Sequence, residues 1–114
     1  MGMVLVSRPI SIHQLREVGA ELFGDMVKGV VDIEKEIMAI GAELHADEEA
    51  FLLEHNSKQE NLWGINLYPE RKIPEMVEFD SLINIRPRQN NRSRGIEDPA
   101  LRDRILNIVS TLID

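Results

Sequence analysis

The chain has 114 residues, no cysteine and a formal net charge of −7. It therefore has no disulfide, thiolate metal ligand or thiol nucleophile, and its acidic balance gives no general attraction to nucleic acid or anionic lipid. The length predicts a single domain over residues 1–114. The apolar run Val4–Val6 is too short for a signal-peptide core, and no stretch is long enough to cross a membrane. We therefore expect a soluble, cytoplasmic protein.

The first half of the chain predicts a strand, a helix and a β-hairpin. Val4–Val6 is a short apolar run typical of a strand. Ser11 and Gln14 have the spacing of a capping box, which predicts the start of a helix, and Gly24 can supply the left-handed residue at its end. Apolar residues alternate over much of the segment from Met26 to Gly41, which favours two strands joined by a short polar turn.

The second half predicts a helix, two strands and a last helix. The first of these helices spans Ala46 to Glu54, and its expected apolar face holds Ala46, Ala50 and Leu53 and is broadened by Phe51. A strand over Leu62 to Tyr68 is expected to pair with one over about Met76 to Arg86. Asp98 and Pro99 then mark the start of the last helix. The predicted fold class is α+β, a mostly antiparallel sheet of about five strands with three helices in the order β-α-β-β-α-β-β-α.

Five segments of the chain have distinctive residue patterns: Gly41–Glu49, Leu62–Pro69, Leu82–Pro87, Asn91–Ser93 and Glu97–Pro99. These segments resemble a family of small bacterial and archaeal proteins of unknown function, DUF5674. They are spread over nearly the whole chain. The resemblance implies a stand-alone domain and brings no activity, cofactor or catalytic residue.

His45 and its acidic neighbours form the first candidate site. On an extended segment Glu43 and His45 point the same way, and on a helix His45 and Glu49 are one turn apart. His45 is thus a candidate general base oriented by Glu43 or Asp47, and His45 with Glu49 is a candidate half-site for a metal. The structural alternative is that acids in a first helical turn are favoured by the helix dipole. Since no established metal motif is present, we expect no metal as the default.

The second candidate site is the loop from Arg86 to Gly95. Four arginines lie between residues 86 and 94 without a single acid. Guanidinium groups suit phosphate and carboxylate ligands, so the candidate ligand-binding residues are Asn84, Arg86, Asn91, Arg92 and Arg94. The alternative is that these arginines pair with the surplus acids and fasten the loop to the domain.

Strand alternation adds a polar face to the last predicted hairpin, which either meets water or lines a ligand cleft. Its members are Asn66, Tyr68, Glu78, Asp80, Asn84 and Arg86. Trp63 lies on the opposite, apolar face and is expected in the core.

Three functions remain open from the sequence. The first is a binding module for a phosphate- or carboxylate-bearing ligand at the Arg-rich loop. The second is a small hydrolase or metal-dependent enzyme that uses His45, and the third is a homodimeric interaction protein. No nucleotide-binding or nucleophile motif is present, so we expect no cofactor and no nucleic-acid partner.

Overall fold

A computed structural model describes residues 2–114. The helices are α1 (Ile12–Glu21), α2 (His45–Glu54) and α3 (Pro99–Leu112). The strands are β1 (Val4–Val6), β2 (Val27–Asp32), β3 (Ile37–Ile40), β4 (Leu62–Leu67) and β5 (Val77–Glu78). Short 3-10 helices span Gln59–Asn61, Leu82–Asn84 and Pro87–Gln89. The α+β class and the element order predicted from the sequence are confirmed.

The five strands form one antiparallel sheet in the order β1-β3-β2-β4-β5. β2 lies at its centre, where Val30 pairs with Ala39 of β3 and Gly64 of β4. Lys28 pairs with Asn66 in the same register. Since neighbouring strands hold paired residues on the same face, Lys28 and Asn66 point to the face that carries Val30. Among residues 2–114, no helix combines the length and apolar composition that a membrane span requires.

Helices cover both faces of the sheet. One face, with Val31, Ile65 and Trp63, packs against the apolar residues of α1 and α3. The other face packs against α2 and the segment that follows β5, in a smaller apolar cluster of Val30, Ala39, Leu52 and Leu62. Trp63 is buried on the first face, as the sequence predicts. We call the second face the α2 face.

The predicted helix signals are present. The Ser11 Oγ accepts from the Gln14 backbone N–H at 3.1 Å, and the Gln14 Oε1 accepts from the Ser11 N–H at 2.9 Å. Gly24 has a φ of +88°, and its N–H donates to the Gly19 carbonyl. At α3, Asp98 accepts from the Ala100 N–H at 2.9 Å with proline in the first turn. These local contacts explain why helix starts were predictable from short motifs.

The predicted long strand from Met76 to Arg86 is wrong. Strand pairing ends at Glu78, because Ser81 accepts from the Ile83 N–H and starts a 3-10 helix. Asn84 and Arg86 therefore do not lie on a polar strand face, and Ile83 packs on the α2 face while Ile85 is exposed. The remaining members of that face do meet, since Asn66 and Tyr68 both donate to the Glu78 carboxylate.

The predicted apolar face of α2 is also wrong. Ala46, Ala50 and Leu53 are exposed, whereas the helix buries His45, Glu48 and Leu52. Of the predicted face, only Phe51 is partly buried and packs on the apolar cluster. Two polar side chains can be buried here because each bonds the backbone of another segment: His45 bonds Ile65, and Glu48 bonds Ala42. These partners are distant in the sequence or lie outside the helix, so helical periodicity alone did not find them.

Candidate functional site

A hollow opens at the N-terminal end of α2, where the helix faces β2 and the segment after β5. Its volume is about 170 Å³. Polar and apolar residues line it in equal number: Lys28, Leu44, His45, Ala46, Ser81, Leu82, Ile83 and Arg94. We call this site the α2 hollow. It brings together residues of four segments that are far apart in the sequence.

The end of α2 in the hollow has no side-chain cap. Leu44 occupies the N-cap position and cannot accept a hydrogen bond from the first turn. The first backbone N–H groups of a helix have no acceptor within the helix, and they carry a partial positive charge. His45 and Ala46, which begin the helix, line the hollow. A small acceptor or anion in the hollow would complement this end of the helix.

His45 is buried with one ring nitrogen engaged. Its Nε2 lies 2.8 Å from the Ile65 carbonyl oxygen. A carbonyl can only accept, so Nε2 carries the proton and Nδ1 holds the lone pair of the neutral ring. Burial lowers the pKa of His45, the bond to Ile65 opposes this, and the charge of Lys28 lowers it further. Asn66 and Asp80 lie close enough to raise the pKa slightly.

Two basic side chains line the hollow. Lys28 lies near the start of β2, the central strand, and its Nζ lies 5.3 Å from the ring centroid of Phe23. Arg94 donates from Nε to the Asp80 carboxylate at 2.6 Å, and both side chains are about half exposed. The single carboxylate that pairs with Arg94 leaves the rest of its donor fork available. The basic pair thus exceeds its acidic partner by one charge.

Backbone bonds fix the position of Arg94 independently of its side chain. Its carbonyl oxygen accepts from the Ser81 N–H at 3.0 Å and from the Asn84 amide at 3.0 Å. These contacts tie residue 94 to the same segment that supplies Ser81 and Leu82 to the hollow. A change of the Arg94 side chain would leave both bonds intact.

Asn84 continues the edge of β4 with a side chain in place of a strand. Its Oδ1 accepts from the Gly64 N–H at 2.8 Å, and its Nδ2 donates to the Gly64 carbonyl at 2.9 Å. These are the two bonds that an antiparallel neighbour would make. Position 64 has no room for a side chain, because a Cβ there would lie 2.6 Å from the Ser81 Cβ. Asn84 is fully buried and does not line the hollow.

Arg86 donates hydrogen bonds to backbone carbonyl groups at the next part of the same sheet edge. Its guanidinium donates to the carbonyls of Leu62, Ile83 and Gln59. It also lies 4.6 Å from the Trp63 ring centroid, and the Glu49 carboxylate is 3.6 Å away. Arg86 and Glu49 therefore meet each other and not the hollow.

Asn91 holds the loop together from inside. Its Nδ2 lies within bonding distance of the carbonyls of Asn84, Ser93 and Gly95, and its Oδ1 accepts from the Glu97 N–H. The Glu97 carboxylate in turn accepts from the backbone N–H groups of Arg92 and Ser93, and these two bonds lower its pKa. The Arg92 side chain is exposed and lies outside the hollow. Of the five predicted ligand residues, only Arg94 lines it.

The predicted acidic partners of His45 lie elsewhere. Glu43 and Asp47 are exposed and line a larger hollow of about 430 Å³ on another side of α2, together with Glu54. That hollow has no basic residue and does not include His45. Within residues 2–114, no three His, Asp or Glu side chains come together in a way that could hold a metal ion.

Glu48 is the buried acid that sequence reasoning missed. It is fully buried, and its Oε2 accepts from the Ala42 N–H at 3.1 Å. Burial raises its pKa to about 9, against the opposing effects of the Ala42 bond and of Lys28. Glu48 is therefore protonated and neutral at pH 7. The positive charge of Lys28 is then not cancelled by this buried acid.

The similarity to known proteins extends over nearly the whole chain. The model of a family described as a protein of unknown function matches residues 4–112. The chain belongs to the DUF5674 family. Comparison with curated proteins and with solved structures gives no match. The function of this DUF5674 chain must therefore be argued from its own residues.

Sequence reasoning also missed Lys28 and Ser81. Lys28 is the one charged residue in a run of small and apolar ones, Val27 to Val31, at the centre of the sheet. A lysine at such a position could have indicated a functional residue, since buried strands rarely contain an unpaired charge. Ser81 carries no comparable signal, because its place depends on the contact with Gly64.

Proposed function

We propose that the chain binds a small anion, a phosphate or a carboxylate, in the α2 hollow. The observation that supports this most strongly is the meeting of Lys28 and Arg94 with the uncapped N-terminal end of α2. Basic side chains and free helix N–H groups are the donors that proteins use for such anions. The proposal narrows the Arg-rich loop to Arg94, since Asn84, Arg86 and Asn91 are engaged with the backbone.

The charge of the hollow is local. The chain as a whole is acidic, with a net charge of −7. The residues that line the hollow include two basic side chains, Lys28 and Arg94, and no acid, while the Asp80 carboxylate bonds Arg94 and buried Glu48 is neutral at pH 7. Beyond about 8 Å, salt at physiological strength screens exposed charges, so acids farther away than this oppose binding only weakly. The exposed Glu43 and Asp47, which flank the start of α2, line a different hollow.

An equilibrium titration tests the proposal. Phosphate and acetate would each be added to the purified protein at fixed, low ionic strength, and binding followed by amide chemical shifts. We expect Arg94→Ala to weaken binding by about tenfold or more, because a charge-assisted bond contributes roughly 1.5 to 3 kcal/mol. Shift changes should centre on residues 44–46 and 81–83.

Arg92→Ala is the matched control. It removes the same charge from the same loop at an exposed position outside the hollow. Its affinity should stay within about twofold of the wild type. Equal weakening by both substitutions would mean that only general charge attracts the anion, and unchanged affinity in Arg94→Ala would refute the proposal.

A second candidate function is a small hydrolase in which His45 acts as general base. The observation that favours it is the fixed tautomer: with Nε2 donating to Ile65, the neutral ring keeps its lone pair on Nδ1, and His45 lines the same hollow as Arg94. Activity against phosphate and carboxylate esters, lost in His45→Gln with the fold retained, is the expected result. Binding of anions without turnover would favour the first function.

The homodimer, the absence of a nucleic-acid partner and the cytoplasmic location remain predictions. Light scattering after size exclusion would test the first. Titration with short RNA at two salt concentrations would test the second, because binding through phosphates weakens steeply with salt.

A further inference from the structure

We infer that the ligand of the α2 hollow is an amphipathic anion, in which a phosphate or carboxylate is attached to a ring or a short hydrocarbon group. This rests on the proposed function, which it extends from the anionic group to the rest of the ligand. The evidence is the apolar rim of the hollow.

The rim holds the two most exposed large apolar side chains of residues 2–114. Leu82 is 67% exposed and Leu44 is 56% exposed. Both line the same hollow of about 170 Å³. Single exposed leucines are ordinary on protein surfaces, but a group of them at the mouth of a polar hollow marks a binding site.

Two of the four segments that line the hollow pair a polar residue with an apolar neighbour in the sequence. Leu44 precedes His45 at the start of α2, and Leu82 follows Ser81 at the start of the second 3-10 helix. The backbone that places His45 and Ser81 inside therefore places the two leucines at the rim. Phe23, another exposed apolar residue, contacts the Lys28 ammonium with its ring but does not line the hollow.

The size of the hollow favours a small molecule over a protein segment. A volume of 170 Å³ equals the share of about six water molecules in liquid water. This space suits an anionic group with part of a ring, whereas a helix or strand would need a longer groove. The apolar group would leave water against Leu44 and Leu82 while the anion meets Arg94 and the end of α2.

Paired ligands separate the inference from the proposed function. Benzoate would be compared with acetate, and phenyl phosphate with inorganic phosphate, by chemical-shift titration of the purified protein. At about pH 6 the two carboxylates carry the same charge, so their difference reports the ring alone. We expect the ring to tighten binding about tenfold or more in the pair that shows the larger difference, because binding removes the apolar area of the ring from water.

Leu82→Ser and Leu53→Ser provide the matched variants. Leu53 lies on α2 and is 42% exposed, but it does not line the hollow. Leu82→Ser should reduce the advantage of the ring, measured as the benzoate affinity divided by the acetate affinity, to less than about threefold. Leu53→Ser should keep the full advantage.

Three results would overturn the inference. If acetate or phosphate binds but the ring adds nothing, the ligand is a plain anion and the proposed function survives. If the ring tightens binding in Leu82→Ser as much as in the wild type, it binds outside the rim. If none of the four compounds binds, the inference and the proposed function fail together.

Discussion

The two faces of the sheet are stabilised by different physics. The face under α1 and α3 buries a continuous apolar cluster, in which contact area supplies the stability. On the α2 face the apolar cluster is small, and buried polar residues surround it. These are Asp32, His45, Glu48, Ser57, Asn66, Ser81, Asn84 and Asn91. Buried polar groups stabilise only when they are bonded, so this face depends on particular contacts where the other depends on area.

The α2 face itself divides into a scaffold and a site. The scaffold consists of Asn84, Arg86 and Asn91, whose side chains form hydrogen bonds with backbone groups. Lys28 and Arg94 keep donors that the described backbone does not use, and they lie at the hollow. The same loop thus contains arginines of two kinds, and substitutions should distinguish them.

The largest effect is expected for Asn84→Ala. The substitution leaves the N–H and the carbonyl of Gly64 buried without partners and also removes the bond to Arg94. We expect the free energy of unfolding to fall by about 3 to 5 kcal/mol in urea denaturation. A loss of less than about 1 kcal/mol would mean that water or a shifted strand replaces the amide, and the division between scaffold and site would be wrong.

The sequence was sufficient for the features that local contacts determine. The capping box at Ser11 and Gln14 and the Asp98-Pro99 start involve neighbours in the chain, and both are present. The long strand after Met76 was wrong, because an amide from Asn84 replaces the strand beside Gly64. The alternation of apolar and polar residues does not show that a side chain, and not a strand, bonds the edge of β4.

The buried face of α2 shows the same limit at the candidate site. Helical spacing favoured Ala46, Ala50 and Leu53, yet the helix buries His45 and Glu48. Their partners lie on β4 and just after β3, and only the fold brings them together. Positions where local rules fail in this way are often functional, which agrees with the location of the hollow.

The next largest effect concerns Glu48 and pH. The folded protein holds the Glu48 proton up to about pH 9, whereas the ordinary pKa is 4.5. The raised pKa means that stability is fully present below about pH 4.5 and is lost as the pH rises towards 9. This residue should therefore lower the free energy of unfolding by roughly 1.4 kcal/mol per pH unit within that window, about 3 kcal/mol by pH 7.

Glu48→Gln removes that titration while keeping the shape of the neutral acid. Urea denaturation at several values from about pH 5 to pH 8 should show a smaller decline in the variant than in the wild type. Glu54→Gln, an exposed position on the same helix, is the control and should follow the wild type. Parallel curves for Glu48→Gln and the wild type would show that Glu48 is ionised or solvated in the folded state.

Arg86→Lys tests the scaffold arginine with its charge retained. Arg86 reaches three carbonyl groups with a planar fork, and a lysine ammonium cannot reproduce that geometry. We expect a loss of about 2 kcal/mol, measured by urea denaturation. A lysine variant as stable as the wild type would mean that the charge near Glu49 matters and the fork does not.

The smallest effect on stability is expected for Arg94→Ala, and it completes the comparison. The ion pair of Arg94 with Asp80 is about half exposed, and exposed pairs contribute less than about 1 kcal/mol. The Arg94 carbonyl, which bonds Ser81 and Asn84, is unchanged by the substitution. Urea denaturation should thus place Arg94→Ala near the wild type and Arg86→Lys well below it, although Arg86→Lys keeps its charge and Arg94→Ala loses it. If Arg94→Ala unfolds as readily as Arg86→Lys, Arg94 belongs to the scaffold, and any loss of anion binding in that variant would follow from lost structure.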